Sequence, residues 1–193
     1  MARTSLVLGS IFMLIYFVIS TILNFIFLFY YSNLLNIIGQ ITFFPAIIGG
    51  ILLFLGFKVG MGRIGILLTL LGDITGILSY TNSPFNVLMF YLFSSVFLTS
   101  IGLILLGMAF YLKGSKGSGT LLVAGSAISI PFGVVYLLSL YMNFNIPVFN
   151  YGNSSSSIFL AYTIYDFFVF ILPSFSSAIG FGLILLREKR MLP

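Results

Sequence analysis

The chain has 193 residues, 60% hydrophobic and 6% charged, with a formal net charge of +5 and a mean hydropathy of +1.22. Soluble domains carry about a quarter charged residues, so the solvent for most of this chain is lipid. Cysteine, histidine and tryptophan are absent, which excludes disulfides, thiol and imidazole chemistry and the commonest metal and haem ligands; no metal or cofactor is expected.

The eight basic residues, Arg3, Lys58, Arg63, Lys113, Lys116, Arg187, Lys189 and Arg190, stand at the ends of long apolar runs. A nucleic-acid surface would gather them into one patch with stacking aromatics, so no nucleic-acid partner is expected and the bases read as anchors beside anionic headgroups. The first run, 5–31, follows one basic residue and is about twice the length of a signal-peptide core, which marks a retained helix. Ser32 and Asn33 leave room only for an antiparallel return into a second span, 34–57, which ends at Lys58. A third span, 64–80, is closed by Thr81, Asn82, Ser83 and Pro84, and a fourth, 85–112, follows. Lys113 to Gly119 reads as a flexible basic loop. The fifth span, 120–142, leads to the longest polar segment, 143–157, and the sixth, 158–186, stops at Arg187.

Six crossings with the amino terminus inside put every Lys and Arg on the cytoplasmic face, and one crossing more or fewer breaks that separation. The expected fold is therefore an all-α, single-domain six-helix bundle of a plasma membrane, built as three antiparallel hairpins with both termini cytoplasmic. The outer loops carry no charge, and Asn153 opens a glycosylation sequon there, for a host that glycosylates. Placing Arg63 on Lys116 sets Gly72-Asp73 over Gly125-Ser126, the alignment expected if the hairpins repeat in one orientation.

Gly65, Thr69, Gly72, Gly76 and Ser79 recur at steps of four and three, forming one small-residue stripe on the third span. Helices approach closely along such stripes, and lipid supplies no competing hydrophobic force; the partner is another helix of the bundle or a second copy of the chain. Ser95, Thr99 and Gly102 in the fourth span, with Gly125 and Ser129 in the fifth, offer shorter versions. Pro45, Pro131 and Pro173 lie at similar depth, where they shape a static bundle or open a gap at mid-membrane.

Two carboxyls lie within the spans, Asp73 and Asp166. Inserting a carboxylate costs at least a few kcal/mol, so an intramembrane Asp is a candidate site. Asp73 stands near mid-span, one turn from Thr69, with no base at its depth. It is expected to be neutral, bonded to Thr69 or a facing serine as interhelical glue, or used as a proton or cation site. By depth, Asp166 shares the outer half of the membrane with Asn24 and Gln40, and the three are expected to line one outward polar pocket.

Gly72-Asp73 and Tyr165-Asp166 resemble the paired motifs of intramembrane aspartyl proteases, which implies a shared-proton dyad. Leu70 replaces the first motif glycine, the order is reversed relative to presenilins, and the two carboxyls differ in depth by about 15 Å on straight helices. In its richness in Ile, Phe, Tyr, Ser and Asn the chain resembles small polytopic membrane proteins of archaea, a likeness that implies no activity. The residues point first to a non-catalytic membrane component or accessory subunit, packing in the bilayer as a homo-oligomer or within a larger complex. The second reading is a small-solute or proton-coupled transporter or channel using Asp73.

Overall fold

The computed structural model describes residues 2–27, 29, 33–57, 60–78, 85–145 and 163–190. The helices are α1 (Ala2–Phe27), α2 (Asn33–Gly56), α3 (Met61–Leu78), α4 (Phe85–Leu112), α5 (Lys116–Asn145) and α6 (Leu172–Arg190), which continues a π-helical turn at Phe167–Ile171. Six apolar stretches of 18 to 25 residues run along them, about 27 to 38 Å at 1.5 Å per residue, which matches the thickness of a hydrocarbon layer of about 30 Å. The chain is an all-α, multi-pass membrane protein.

Each helix packs on its neighbours in sequence, and α6 returns to α1, so three hairpins close into a ring. The contacts that draw the helices together are made by small residues. A Cβ added at Gly65 would lie 2.7 Å from the Gly102 carbonyl oxygen and the Leu106 nitrogen, so α3 and α4 touch backbone to backbone. Gly9 meets Gly49 on α2, and Gly107 meets Gly119 on α5. The stripes of α1, α3 and α5 are thus occupied by helices of the same chain.

The three hairpins share a local pattern. Gly9 faces α2, Gly72 faces Thr99 on α4, and Gly125 faces Ser176 on α6. The residue after each glycine, Ser10, Asp73 and Ser126, is buried and keeps a side-chain oxygen without a hydrogen-bond partner. Between the helices lies an apolar core that includes Met13, Phe17, Leu53, Leu106, Leu122 and Phe181. Ile22, Phe44, Leu71, Phe90 and Leu138 point outward, as a lipid-facing surface requires.

The described basic side chains also terminate helices. Arg63 Nε donates to the carbonyls of Phe57 at 2.6 Å and Phe54 at 3.2 Å, capping the end of α2, while its guanidinium lies 4.7 Å from the Phe54 ring centroid. Arg187 donates to Ser115 Oγ and to the Lys113 carbonyl after α4. Unpaired carbonyls and the negative end of the helix dipole favour a cation at both places. Lys113 Nζ sits 4.0 Å over the Phe57 ring. These groups define a basic end of the bundle; among the described residues the opposite end carries no Lys or Arg, and the one carboxyl toward it is Asp166.

Several elements differ from the sequence reading: α1 begins at Ala2 rather than 5, α5 runs to Asn145 into the segment read as polar loop, and α6 runs to Arg190 rather than 186. The basic loop is shorter, because α5 begins at Lys116 and the Gly119 N–H donates to the Ser115 carbonyl at 2.9 Å; Lys116 to Gly119 are helical. The turn that remains uses Gly114 at φ 86°, a conformation glycine adopts without strain. The third helix starts at Met61 rather than at 64, after Gly60 at φ 97°. The sixth span contains a π turn immediately before Pro173, where the Leu172 N–H donates five residues back to Phe167. A proline cannot accept a tight α-helical carbonyl four residues before it, and the wider turn relieves that clash. Pro45 and Pro131, by contrast, lie inside continuous α-helices.

The α3/α4 contact yields a stability prediction. Gly65→Leu should lower the apparent unfolding temperature in detergent, through overpacking of about 1–3 kcal/mol or more. Gly182, where an added Cβ meets nothing within 4 Å, should accept leucine with little change. Equal effects at the two positions would contradict the packing.

Candidate functional site

Asp73 lies twelve residues into α3, about 18 Å from its basic end at 1.5 Å per residue. It is buried, at 2% exposure, and neither lipid nor water reaches it directly. The Tyr16 hydroxyl donates to its Oδ1 at 3.4 Å, well beyond the roughly 2.7–2.8 Å of a well-formed O–H···O bond. Oδ2 has no hydrogen-bond partner. Tyr16 belongs to α1, and α2 lies between α1 and α3 in the ring, so this contact crosses the interior.

Thr69 does not serve Asp73. Its hydroxyl donates back to the Gly65 carbonyl at 2.9 Å, as Thr75 does to Gly72; a helical threonine satisfies itself this way when no better acceptor faces it. The glue expected between Asp73 and Thr69 or a facing serine is therefore replaced by the long Tyr16 contact. Gly72 and Gly76 leave room beside Asp73 for Thr99 and Ser95 of α4, and Phe43 of α2 also lies against Gly76.

The outward pocket assembled by depth does not form as expected. Gln40 is exposed on α2. Asp166 is hydrogen-bonded by the Tyr136 side chain of α5. Depth fixes height along a helix, whereas azimuth decides which face a residue occupies, and Gln40 turns outward while Asn24 and Asp166 are half-buried on different partners. The Asn24 Nδ2 donates to Ser20 Oγ at 3.2 Å, and Ser20 Oγ lies 3.3 Å from Ser174 Oγ of α6. Asn153 lies outside the described residues.

Tyr16, Ser20 and Asn24 recur every four residues and so form one polar stripe on α1. Facing it on α6 are Ser174 and, one turn nearer the basic end, Ser177, whose buried Oγ has no partner. Sequence reasoning missed Tyr16, Ser20, Ser174 and Ser177; the four-residue period through Asn24 was the available signal. A second polar contact joins Ser100 and Ser129 at 2.7 Å, with Ser129 also donating to the Ser126 carbonyl.

Toward the basic end the interior becomes aromatic. Phe17 stacks on Phe181 at 5.8 Å between centroids, Phe181 meets Phe110 at 6.3 Å, and Phe110 meets Phe57 at 5.3 Å. This column ends beneath Lys113. On the lipid side, an apolar groove of about 370 Å³ runs between α1 and α6, lined by Leu14, Val18, Ile22, Phe175 and Ile179 among others. Thr21 also lines it but turns its hydroxyl to the Phe17 carbonyl, so the groove offers little polar recognition.

The aspartyl-protease likeness finds no support in these contacts. Asp73 and Asp166 lie on α3 and the start of the α6 span, which are not neighbours in the ring, and each carboxyl engages a different tyrosine. No protein-family model, curated protein or solved structure matches the chain.

A buried carboxyl with an unpartnered oxygen destabilises the fold that contains it. Asp73→Asn and Asp73→Val should leave thermal stability unchanged or raise it. Tyr16→Phe, which strips Asp73 of its donor, should lower it by about 1–3 kcal/mol. A large loss of stability in Asp73→Val with none in Tyr16→Phe would mean that Asp73 is structural glue after all.

Proposed function

We propose that this membrane protein is a small-solute or proton-coupled transporter or channel of the plasma membrane, with both termini cytoplasmic and Asp73 as its working group. The observation that supports it is the buried Asp73 carboxyl with an unpartnered Oδ2, placed across the ring interior from the polar stripe of α1. An ionisable group held in hydrocarbon without a counter-charge is a liability for stability, and function is the usual reason to keep one. The orientation follows from the distribution of Lys and Arg.

The alternative, a non-catalytic component or accessory subunit, rests on the small-residue stripes and on the poverty of reactive groups. Gly65, Gly72 and Gly76 meet α2 and α4 of the same chain, so the first of these supports weakens. The outer surface is left to branched aliphatics and phenylalanines, which suit lipid as well as a protein neighbour. No catalytic role is proposed for any residue.

Purified protein in proteoliposomes, with a pH-sensitive dye inside and a potassium diffusion potential imposed by valinomycin, tests the reading. Proton flux above that of empty vesicles is expected, falling at least about tenfold in Asp73→Asn, a loss on the scale of removing one positioned proton-transfer group. Absence of flux, together with a partner that co-purifies stoichiometrically from native membranes, would favour the accessory subunit.

A further inference from the structure

The two sides of Asp73 differ chemically. On the uncharged side, Asn24, Ser20 and Tyr16 descend α1 one turn at a time, with Ser174 bonded across from α6. On the basic side, Phe17, Phe181, Phe110 and Phe57 are in ring contact down to Lys113. The Ser20 and Tyr16 hydroxyls can hand on a proton; a packed aromatic column cannot, and the buried Ser10, Ser126 and Ser177 hydroxyls on that side have no hydrogen-bond partner to pass one to.

The oxygen supply around Asp73 distinguishes a proton from a metal cation. Hard divalent cations take about six or more oxygen ligands. Here the Tyr16 hydroxyl is the group hydrogen-bonded to the carboxylate, the Thr69 and Thr75 hydroxyls are turned to helix carbonyls, and Thr99 and Ser95 lie against Gly72 and Gly76, so the oxygens at hand fall short of such a shell. A proton needs one oxygen, and Oδ2 is unpartnered. Among groups facing Asp73, α1 contributes Tyr16, α2 has no titratable residue, and α4 carries tyrosines only near its ends, Tyr91 and Tyr111. Among the described residues the other carboxyl within a span, Asp166, lies nearer the uncharged end, beside Tyr136 of α5.

We propose that Asp73 is a proton-binding site loaded from the uncharged end of the bundle through the Ser20 and Tyr16 hydroxyls, with the Asn24 amide orienting Ser20 at the entry, and sealed from the basic end by the phenylalanine column. The step balances without a further reactant. A hydronium ion at the uncharged face gives up its proton and becomes water; the Tyr16 hydroxyl receives a proton from the stripe and passes its own to the Asp73 carboxylate. Tyr16 ends neutral and Asp73 becomes the carboxylic acid. Ser20 and Tyr16 stand about one turn, 5.4 Å, apart along α1, so transfer between them involves a bridging water or a side-chain swing. The long Tyr16 contact suits a donor that must release its acceptor in each cycle. This inference gives the transport reading its coupling ion and its side of access, but its test does not depend on flux.

Dicyclohexylcarbodiimide attacks a carboxyl in an apolar setting only while the carboxyl holds its proton. Oriented proteoliposomes, with the pH on each face set by impermeant buffers, should show labelling of Asp73 by peptide mass spectrometry. The rate should follow the pH at the uncharged face and ignore that at the basic face. Excess Na⁺ should not protect. Ser20→Val, which interrupts the stripe but leaves the contact between Tyr16 and Asp73, should slow the response to a pH jump by roughly tenfold or more, with an unchanged gel-filtration profile. Labelling that follows the basic face, protection by Na⁺, or an unaltered response in Ser20→Val would each overturn the proposal. Labelling as expected in vesicles that show no proton flux would remove the transport reading and leave the site standing.

Discussion

A carboxyl group with no cation at its depth cannot face hydrocarbon, and the ring of six helices keeps Asp73 out of it. The described basic side chains lie at one end of the bundle, Lys116 exposed at the start of α5. Arg63 and Arg187 finish helices there, and Lys113 lies on an aromatic ring. None is available to neutralise a charge at mid-membrane. Enclosure does what pairing does in other intramembrane sites.

Enclosure in turn depends on how closely the helices approach. Lipid provides no hydrophobic drive between them, so contact area and backbone proximity decide the packing. Gly65 against Gly102, Gly9 against Gly49 and Gly107 against Gly119 supply that proximity at three interfaces around the ring. Among the described residues, the pattern of a glycine facing the next helix followed by a buried polar residue with an unpartnered oxygen occurs once in each hairpin. Only in the second hairpin is that residue ionisable. Ser10 and Ser126 are the milder versions of the same placement, and the difference between hydroxyl and carboxyl separates a tolerated polar group from a reactive one.

The fold was largely legible in the sequence, since Lys and Arg mark span ends and apolar runs of bilayer length have few alternatives to helices. Asp73 was legible too, as a carboxyl near the middle of a span. Its partner was not. Tyr16 lies 57 residues away on a helix that is not a sequence neighbour of α3, and a phenol near aromatic residues looks from sequence like ordinary packing. Gln40 shows the converse error: counting residues gives depth but leaves open which face points inward. The start of α5 was misplaced because Lys116-Gly117-Ser118-Gly119 has loop composition. The N–H of Gly119 nevertheless bonds to Ser115, and Ser118 and Gly119 are buried, so tertiary packing overrides weak helix propensity.

The central claim is that the α1 stripe is reachable from the uncharged end as far as Ser20, that Tyr16 links it to the enclosed Asp73, and that the interior is packed shut on the basic side. The chain contains no cysteine, so single cysteines can be introduced one at a time along both halves of the interior. The most direct measurement is the rate at which a small water-soluble thiol reagent, added to one side of sealed vesicles, modifies Asn24→Cys, Ser20→Cys and Leu106→Cys. Reagent at the uncharged face should modify the first two and spare the third, and reagent at the basic face should modify none of them. Rapid modification of Leu106→Cys from the basic face, or protection of Ser20→Cys from both, would contradict a one-sided polar path to Asp73.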